Sequence, residues 1–235
     1  MLRVDLHVHT PISTCYSDKT VKTEQLVNAA LKAGLDAIAV TDHHAVRGAI
    51  ELREASKGTP LTVLPGMEIT LKEGHFLALF DVDAGMSELV SLMEWLGVPP
   101  DKQGDGHFVV LRDVEEVLRQ VDERAGAAVA AHIERWPSGF LESKESRAVK
   151  QSIHASQHLS ALEITIPEDK AAWNEGLVRG FPKKYACVQA SDSHSLSDIG
   201  RRQVLIDLDR LDLNGLRLAI SEHASRISFP RTKGI

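Results

Sequence analysis

Cysteine is scarce in this 235-residue chain: Cys15 and Cys187 are the whole complement. Two cysteines exclude a disulfide framework and a CxxC zinc pattern, and a reducing, cytoplasmic compartment is the expectation. Long apolar runs are missing too. None approaches the ~20 residues that a membrane-spanning helix needs. The opening MLRVDLHVHT has no basic segment leading into an apolar one, so no signal peptide is expected. Excess positive charge is also lacking. The formal charge of −6 speaks against a broad basic surface, and no stable nucleic-acid partner is expected. Neither common glycine-rich phosphate loop occurs, and no Ser-His-Asp or Cys-His grouping offers itself as a nucleophile.

What is present reads as an ordinary globular enzyme, 43% hydrophobic and 26% charged. Leu2, Val4, Leu6 and Val8 alternate with Arg3, Asp5, His7 and His9, the period of a strand. A helix is predicted over 22–33, with Thr23 as N-cap and Gly34 as its stop. Strands are predicted at 37–40, 61–64, 75–80, 127–131, 162–164, 187–190 and 204–206, with helices at 46–57 and 168–179. Leu89, Leu92, Met93 and Leu96 have helical spacing, as do Val114, Val117, Leu118 and Val121, and Leu213, Leu216 and Ile220 stripe a last helix. This alternation predicts a parallel sheet with helices outside. The stretches 97–107 and 134–147 read as loops, and no repeat or linker divides the chain.

The count that stands out is eleven histidines. Their positions matter more than their number. One apolar strand ends in His7 and His9, the next runs into Asp42-His43-His44, the third runs through Pro65-Gly66 into Glu68, another ends in His132, and another runs into Asp192 and His194. That end of a parallel sheet carries the active site in α/β barrels. In His-x-His on a strand both rings project from one face and can reach one ion. Glu68 offers two oxygens and can bridge two ions. Imidazole with carboxylate suits zinc, manganese or iron(II). A pair of such ions can hold a hydroxide between them at neutral pH.

Taken together, Asp5-Leu6-His7-Val8-His9-Thr10, Thr41-Asp42-His43, Pro65-Gly66-Met67-Glu68, Ala131-His132 and Ser191-Asp192-Ser193-His194 resemble the PHP family, the polymerase and histidinol phosphatase superfamily. The match runs from residue 4 to about 202. The resemblance implies an α/β fold, a distorted (β/α)7 barrel, here one PHP-like metal-dependent hydrolase domain over 1–235. It implies two or three divalent ions (manganese, zinc or iron) and hydrolysis of a phosphomonoester or short nucleotide by a metal-bound hydroxide. By resemblance, His7, His9, Glu68 and Asp192 hold one ion, and Glu68 bridges to a second bound by His75 and His132. His43 and His194 hold a third. Glu68 and Asp192 are the expected catalytic carboxylates.

The sequence leaves the family pattern at Ser13-Thr14-Cys15-Tyr16-Ser17-Asp18-Lys19. Asp18 is expected to complete the third position because hard oxygen suits a manganese or iron site; Cys15 is the alternative. Arg201 and Arg202 follow the Asp-x-His loop, Arg135 follows His132, and His44 follows His43, and these are the candidates for holding substrate phosphate. His107 reads as a bystander, and His154, His158 and His223 as ordinary surface residues on helices. Two other functions compete: an amidohydrolase-type metal hydrolase, which also opens with His-x-His, and a non-catalytic metal-binding PHP module.

Overall fold

In the computed structural model, which describes residues 1–83 and 85–230, the strands share one sheet. They are β1 (Leu2–Val8), β2 (Ala37–Val40), β3 (Thr62–Leu71), β4 (Gly74–Leu79), β5 (Ala127–Ala130), β6 (Leu159–Glu163), β7 (Ala186–Val188), β8 (Val204–Ile206) and β9 (Ile227–Ser228). Their spatial order is β7-β6-β5-β4-β3-β2-β1-β8-β9. The helices are α1 (Thr23–Lys32), α2 (Arg47–Ala55), α3 (Gly85–Leu96), α4 (Val114–Glu123), α5 (Arg147–Ala155), α6 (Lys170–Glu175), α7 (Leu213–Ser221) and α8 (His223–Arg226).

The sheet curls until its ends nearly meet. Beyond β7 the chain returns to β1 through a parallel bridge between Val8 and Ser193, where His9 N donates to Ser193 O at 3.2 Å. Asp5 clamps the same seam, accepting from Ser191 N and Gly200 N, each at 2.9 Å. A distorted barrel of β1–β7 results, with β8 and β9 added alongside the start of β1.

The sheet is not all parallel, contrary to the expectation. β4 runs antiparallel to both β3 and β5, and β8 antiparallel to β1. The reason is length: only Lys72 and Glu73 join β3 to β4, which closes a hairpin but cannot make a crossover. Reversal of β4 brings its first residues, His75 included, to the end where the parallel strands finish. Helix α6 is shorter than predicted, because Gly176 adopts φ 67° and ends it. Thr23 is the first helical residue of α1 rather than its cap, Lys22 taking that place.

Two apolar layers hold the barrel. Small residues fill its interior, with Ala37, Ala39, Ala127, Val129, Ala161, Ala186 and Val188 packing against Val4, Leu6, Leu64 and Leu77. Larger ones such as Ile38, Met67, Ile69, Phe76 and Leu162 face the helices. Helix α7 adds Leu213, Leu216 and Ala219 to the interior cluster.

His154 is not a surface residue. It is 1% exposed, and its ring lies 5.0 Å from Tyr185, 5.2 Å from Phe181 and 5.7 Å from Trp173. Burial, then Lys183, lowers its pKa to about 4. The unfolded chain therefore binds this proton first as pH falls, and stability should drop from about pH 6.5 down to about 4, by roughly 2–3 kcal/mol from this group. Chemical denaturation at pH 7 and pH 4.5 checks this. His154→Leu should flatten that part of the profile, and an unchanged slope would assign the acid sensitivity elsewhere.

Candidate metal centre

The centre begins with an irregularity in β1. Val4 pairs with Ala37 and Val8 with Val40, so β1 spends one more residue than β2 over the same span. Strict alternation would put His7 and His9 on the face opposite Leu6, among the helices. The bulge reverses the alternation after Leu6: Leu6 packs in the interior cluster and Val8 against the helices, leaving His7 and His9 to point inward. Both are fully buried.

Glu68 is the hub. Its Oε1 accepts from His75 Nδ1 at 2.7 Å and His132 Nε2 at 3.1 Å. Its Oε2 faces His7 Nε2 and His9 Nε2, each at 3.2 Å, and His43 Nδ1 at 3.1 Å. Asp192 Oδ1 lies 3.1 Å from His9 Nε2 and 3.2 Å from His7 Nε2, with His194 Nδ1 at 3.7 Å. The His7 and His9 Nε2 atoms are themselves 3.1 Å apart. His43 Nδ1 and Glu68 Oε2 are buried and neither makes a hydrogen bond. Three overlapping groups bring their donor atoms within 4.8 Å: His7, His9, Glu68 and Asp192; His43, Glu68 and His75; and His9, Cys15, His43 and His194.

The rings are aimed from behind. His7 Nδ1 donates to Glu163 Oε2 at 2.9 Å. His9 Nδ1 donates to Ser13 Oγ at 2.9 Å, and Ser13 Oγ donates to Asp42 Oδ1 at 2.6 Å. With Nδ1 occupied, each Nε2 lone pair is turned to the centre, the tautomer a metal ligand needs. Asp42 also accepts from Thr10 N and Thr10 Oγ1 at 2.8 and 2.7 Å. Backbone strain concentrates here: His44, His132 and Asp192 all have positive φ, at 46°, 29° and 49°.

The electrostatics follow from burial against charge. Burial opposes ionisation of Glu68, but the His43, His7 and His75 imidazoles around it outweigh that and hold Glu68 well below the usual carboxylate range. Asp192 is lowered likewise, with His7 and His9 overcoming burial. Burial disfavours the proton on His9, yet Asp192 and Glu68 raise it to about 9. His43 goes the other way, burial bringing it to about 3. The carboxylates thus attract positive charge into the cluster, and a divalent cation would compete with those protons.

The structure therefore brings together His7, His9, His43, Glu68, His75, His132, Asp192 and His194. Arg135 joins them, its guanidinium paired with Asp192 Oδ2. Four expected residues are placed elsewhere. Asp18 is exposed, and its Oδ1 accepts from Thr20 N at 2.9 Å and Thr20 Oγ1 at 2.6 Å within its own turn. His44 is buried behind the site, its Nε2 accepting from Thr70 N at 2.9 Å. Arg201 pairs with Asp198 at 3.1 Å, and Arg202 donates to Ile164 O and Thr165 O at 3.3 and 2.7 Å. Both arginines line a different cavity, because β8 carries the chain down the outside of β1 and away from the centre.

Glu163 went unrecognised in the sequence although it shows the same signal as the others, a carboxylate at the end of an apolar strand. Ser13 gave no signal, since a lone serine in a polar loop is unremarkable. The cavity over the centre has a volume of about 610 Å³, and Lys72, His107, Ser138 and Lys144 line it beside the clustered residues.

The PHP domain model matches residues 5–162. The chain is 26% identical over 141 residues to the uncharacterized protein MJ1587 of Methanocaldococcus jannaschii, covering 56% of this chain and 67% of that protein. Its fold is similar to the lesion-specific endonuclease PfuEndoQ from Pyrococcus furiosus, with a TM-score of 0.74 and 18% identity over 97% of this chain and 57% of that one. A two-domain protein from Bacteroides vulgatus, containing a predicted PHP-like metal-dependent phosphoesterase, superposes with a TM-score of 0.65 and 19% identity over 97% of this chain and 64% of that one. The chain thus spans about three fifths of each of these solved chains.

Proposed function

The chain belongs to the PHP domain family, and from that premise we propose that it is a metal-dependent phosphoesterase whose divalent ions, two or three of manganese, zinc or iron, are held by His7, His9, His43, Glu68, His75, His132, Asp192 and His194. One observation carries the reading. His43 Nδ1 and Glu68 Oε2 stand 3.1 Å apart, both buried, and neither makes a hydrogen bond. Leaving two such atoms unpaired costs about 1–3 kcal/mol each, and a cation drawn to both satisfies them together. Divalent ions there supply positive charge for phosphoryl oxygens and bring the pKa of water toward neutrality.

The chain's own residues supply the rest. Glu163 and Ser13 hold the His7 and His9 rings in one tautomer. Arg135 stands on the cavity wall, where its planar guanidinium can grip a phosphate once Asp192 turns to a cation. Lys72 and Lys144 add charge at the rim. These cations fit a phosphorylated substrate better than the neutral amide of an amidohydrolase, and Glu68 fills the bridging place that a modified lysine takes there.

A second reading, a nucleic-acid strand as substrate, has two observations behind it. PfuEndoQ is a lesion-specific endonuclease of similar fold, and Trp136, between the cavity residues Arg135 and Pro137, is 76% exposed, a surface on which a base can stack.

The test is turnover by protein loaded with manganese or zinc, against a panel of aryl phosphates, nucleotides, and duplex DNA with and without an abasic site. Hydrolysis of at least one class is expected, abolished by EDTA and restored by metal. Silence across the panel with every divalent ion would leave the non-catalytic metal-binding module as the function.

A further inference from the structure

We propose that Cys15 is a metal ligand, its thiolate completing a cation position with His9, His43 and His194. The proposal rests on reading the cluster as a metal centre, and it replaces the sequence-based expectation for Asp18.

Geometry makes the first argument. One donor atom from each of the four residues lies within 4.8 Å of the others, and no such group includes Asp18 among the described residues. Cys15 is not packed as a small apolar side chain: it is exposed and lines the cavity wall with His43 and His194. Its loop is tied down on both sides. Thr14 N donates to Gly104 O at 2.7 Å, and Tyr16 N donates to Ser13 O at 3.0 Å. The Gly104 segment is in turn fixed to the site, Gly104 N donating to His43 O at 2.8 Å. The sulfur is thus held in place by the backbone that carries His43.

A second observation comes from His43, the residue this group shares with the Glu68 cluster. Its side chain is 6% exposed, and Nδ1 makes no hydrogen bond. A buried imidazole nitrogen without a partner is expensive. Its neighbours in the group are a sulfur and two more imidazoles, a soft donor set that suits zinc better than manganese. Binding is a simple exchange: the thiol proton passes to solvent, and the sulfur lone pair bonds the cation, with no change of oxidation state. The centre would then be chemically uneven, with carboxylate and imidazole around Glu68 and one thiolate at the Cys15 corner.

Cobalt(II) titration of the metal-stripped protein decides the matter. Wild type should develop a near-ultraviolet sulfur-to-cobalt charge-transfer band, and Cys15→Ser should bind cobalt without it. Zinc should be about tenfold or more weaker at its loosest position in Cys15→Ser, while Asp18→Ala keeps both the band and the zinc count. A readout that needs no variant is alkylation: zinc should protect Cys15 from iodoacetamide in peptide mapping. Cobalt binding without a sulfur band, a band that survives Cys15→Ser, or alkylation indifferent to zinc would each overturn the proposal while leaving the metal centre standing. Failure to bind cobalt at all would overturn the metal centre and this ligand with it.

Discussion

Glu68→Gln is expected to remove one or more metal ions per chain and to lower phosphoesterase activity on the order of a thousandfold or more, about 4 kcal/mol of barrier. The side chain is 1% exposed and touches five imidazoles, from His7, His9, His43, His75 and His132. An amide keeps its shape but loses its charge. One of its two ends becomes a donor, so it cannot serve cations on both sides. The imidazoles that lose this carboxylate can release the protons it favoured, as at His9, so the neutral amide need not leave an unpaired charge in the core. Loss of metal should therefore be separable from loss of fold. Elemental analysis, turnover and thermal melting together make the check. Added zinc or manganese should raise Tm of the wild type by clearly more than that of the variant, because a ligand that binds only the folded state stabilises it by mass action. A variant with full metal content and wild-type turnover would show that the hub is wrongly placed.

Gly48→Ala should destabilise the protein by roughly 2–4 kcal/mol, even though alanine is the better helix former by about 1 kcal/mol. Gly48 lies in the first turn of α2, where a Cβ would sit 1.9 Å from Asp42 Oδ2 and 2.6 Å from Thr10 Oγ1. Neither atom has room to retreat. Asp42 is fully buried and accepts from Thr10 N, Thr10 Oγ1 and Ser13 Oγ. Displacing it frees Ser13, which takes the His9 Nδ1 proton at 2.9 Å and the His43 N–H at 3.2 Å. A methyl group should thus reach the centre through three hydrogen bonds, weakening metal binding as well as the fold. Denaturant melts with and without zinc measure both effects. Equal or greater stability would mean that the Asp42 carboxylate can move without loss.

Much of the centre was legible in the chain because strand-end chemistry is local. His7, His9, Glu68, His132, Asp192 and His194 each follow an apolar run short enough to read as a strand, and a motif carries its own spacing wherever the fold puts it. Asp18 and Cys15 are three residues apart in one polar loop, and nothing in their spacing tells which faces inward. Hydrogen bonds from Thr20 turn Asp18 back on its own loop, and Gly104, far along the chain, holds the segment that presents Cys15. Arg201 and Arg202 are near Asp192 in sequence only, since the antiparallel entry of β8 takes them off the barrel mouth.

By itself, then, the sequence determined the donor types and the strands that deliver them: imidazole and carboxylate at the ends of apolar segments, in an order that marks the PHP family. Tertiary structure alone decided which way those donors point. The extra residue in β1 reverses the alternation between Leu6 and His7, and the short Lys72–Glu73 link turns β4 so that His75 meets Glu68. A strand's period is two, so one inserted residue exchanges its faces. Whether a bulge forms there depends on how β2 pairs with β1 from some thirty residues away, at Val4 with Ala37 and Val8 with Val40, a contact that no local pattern encodes.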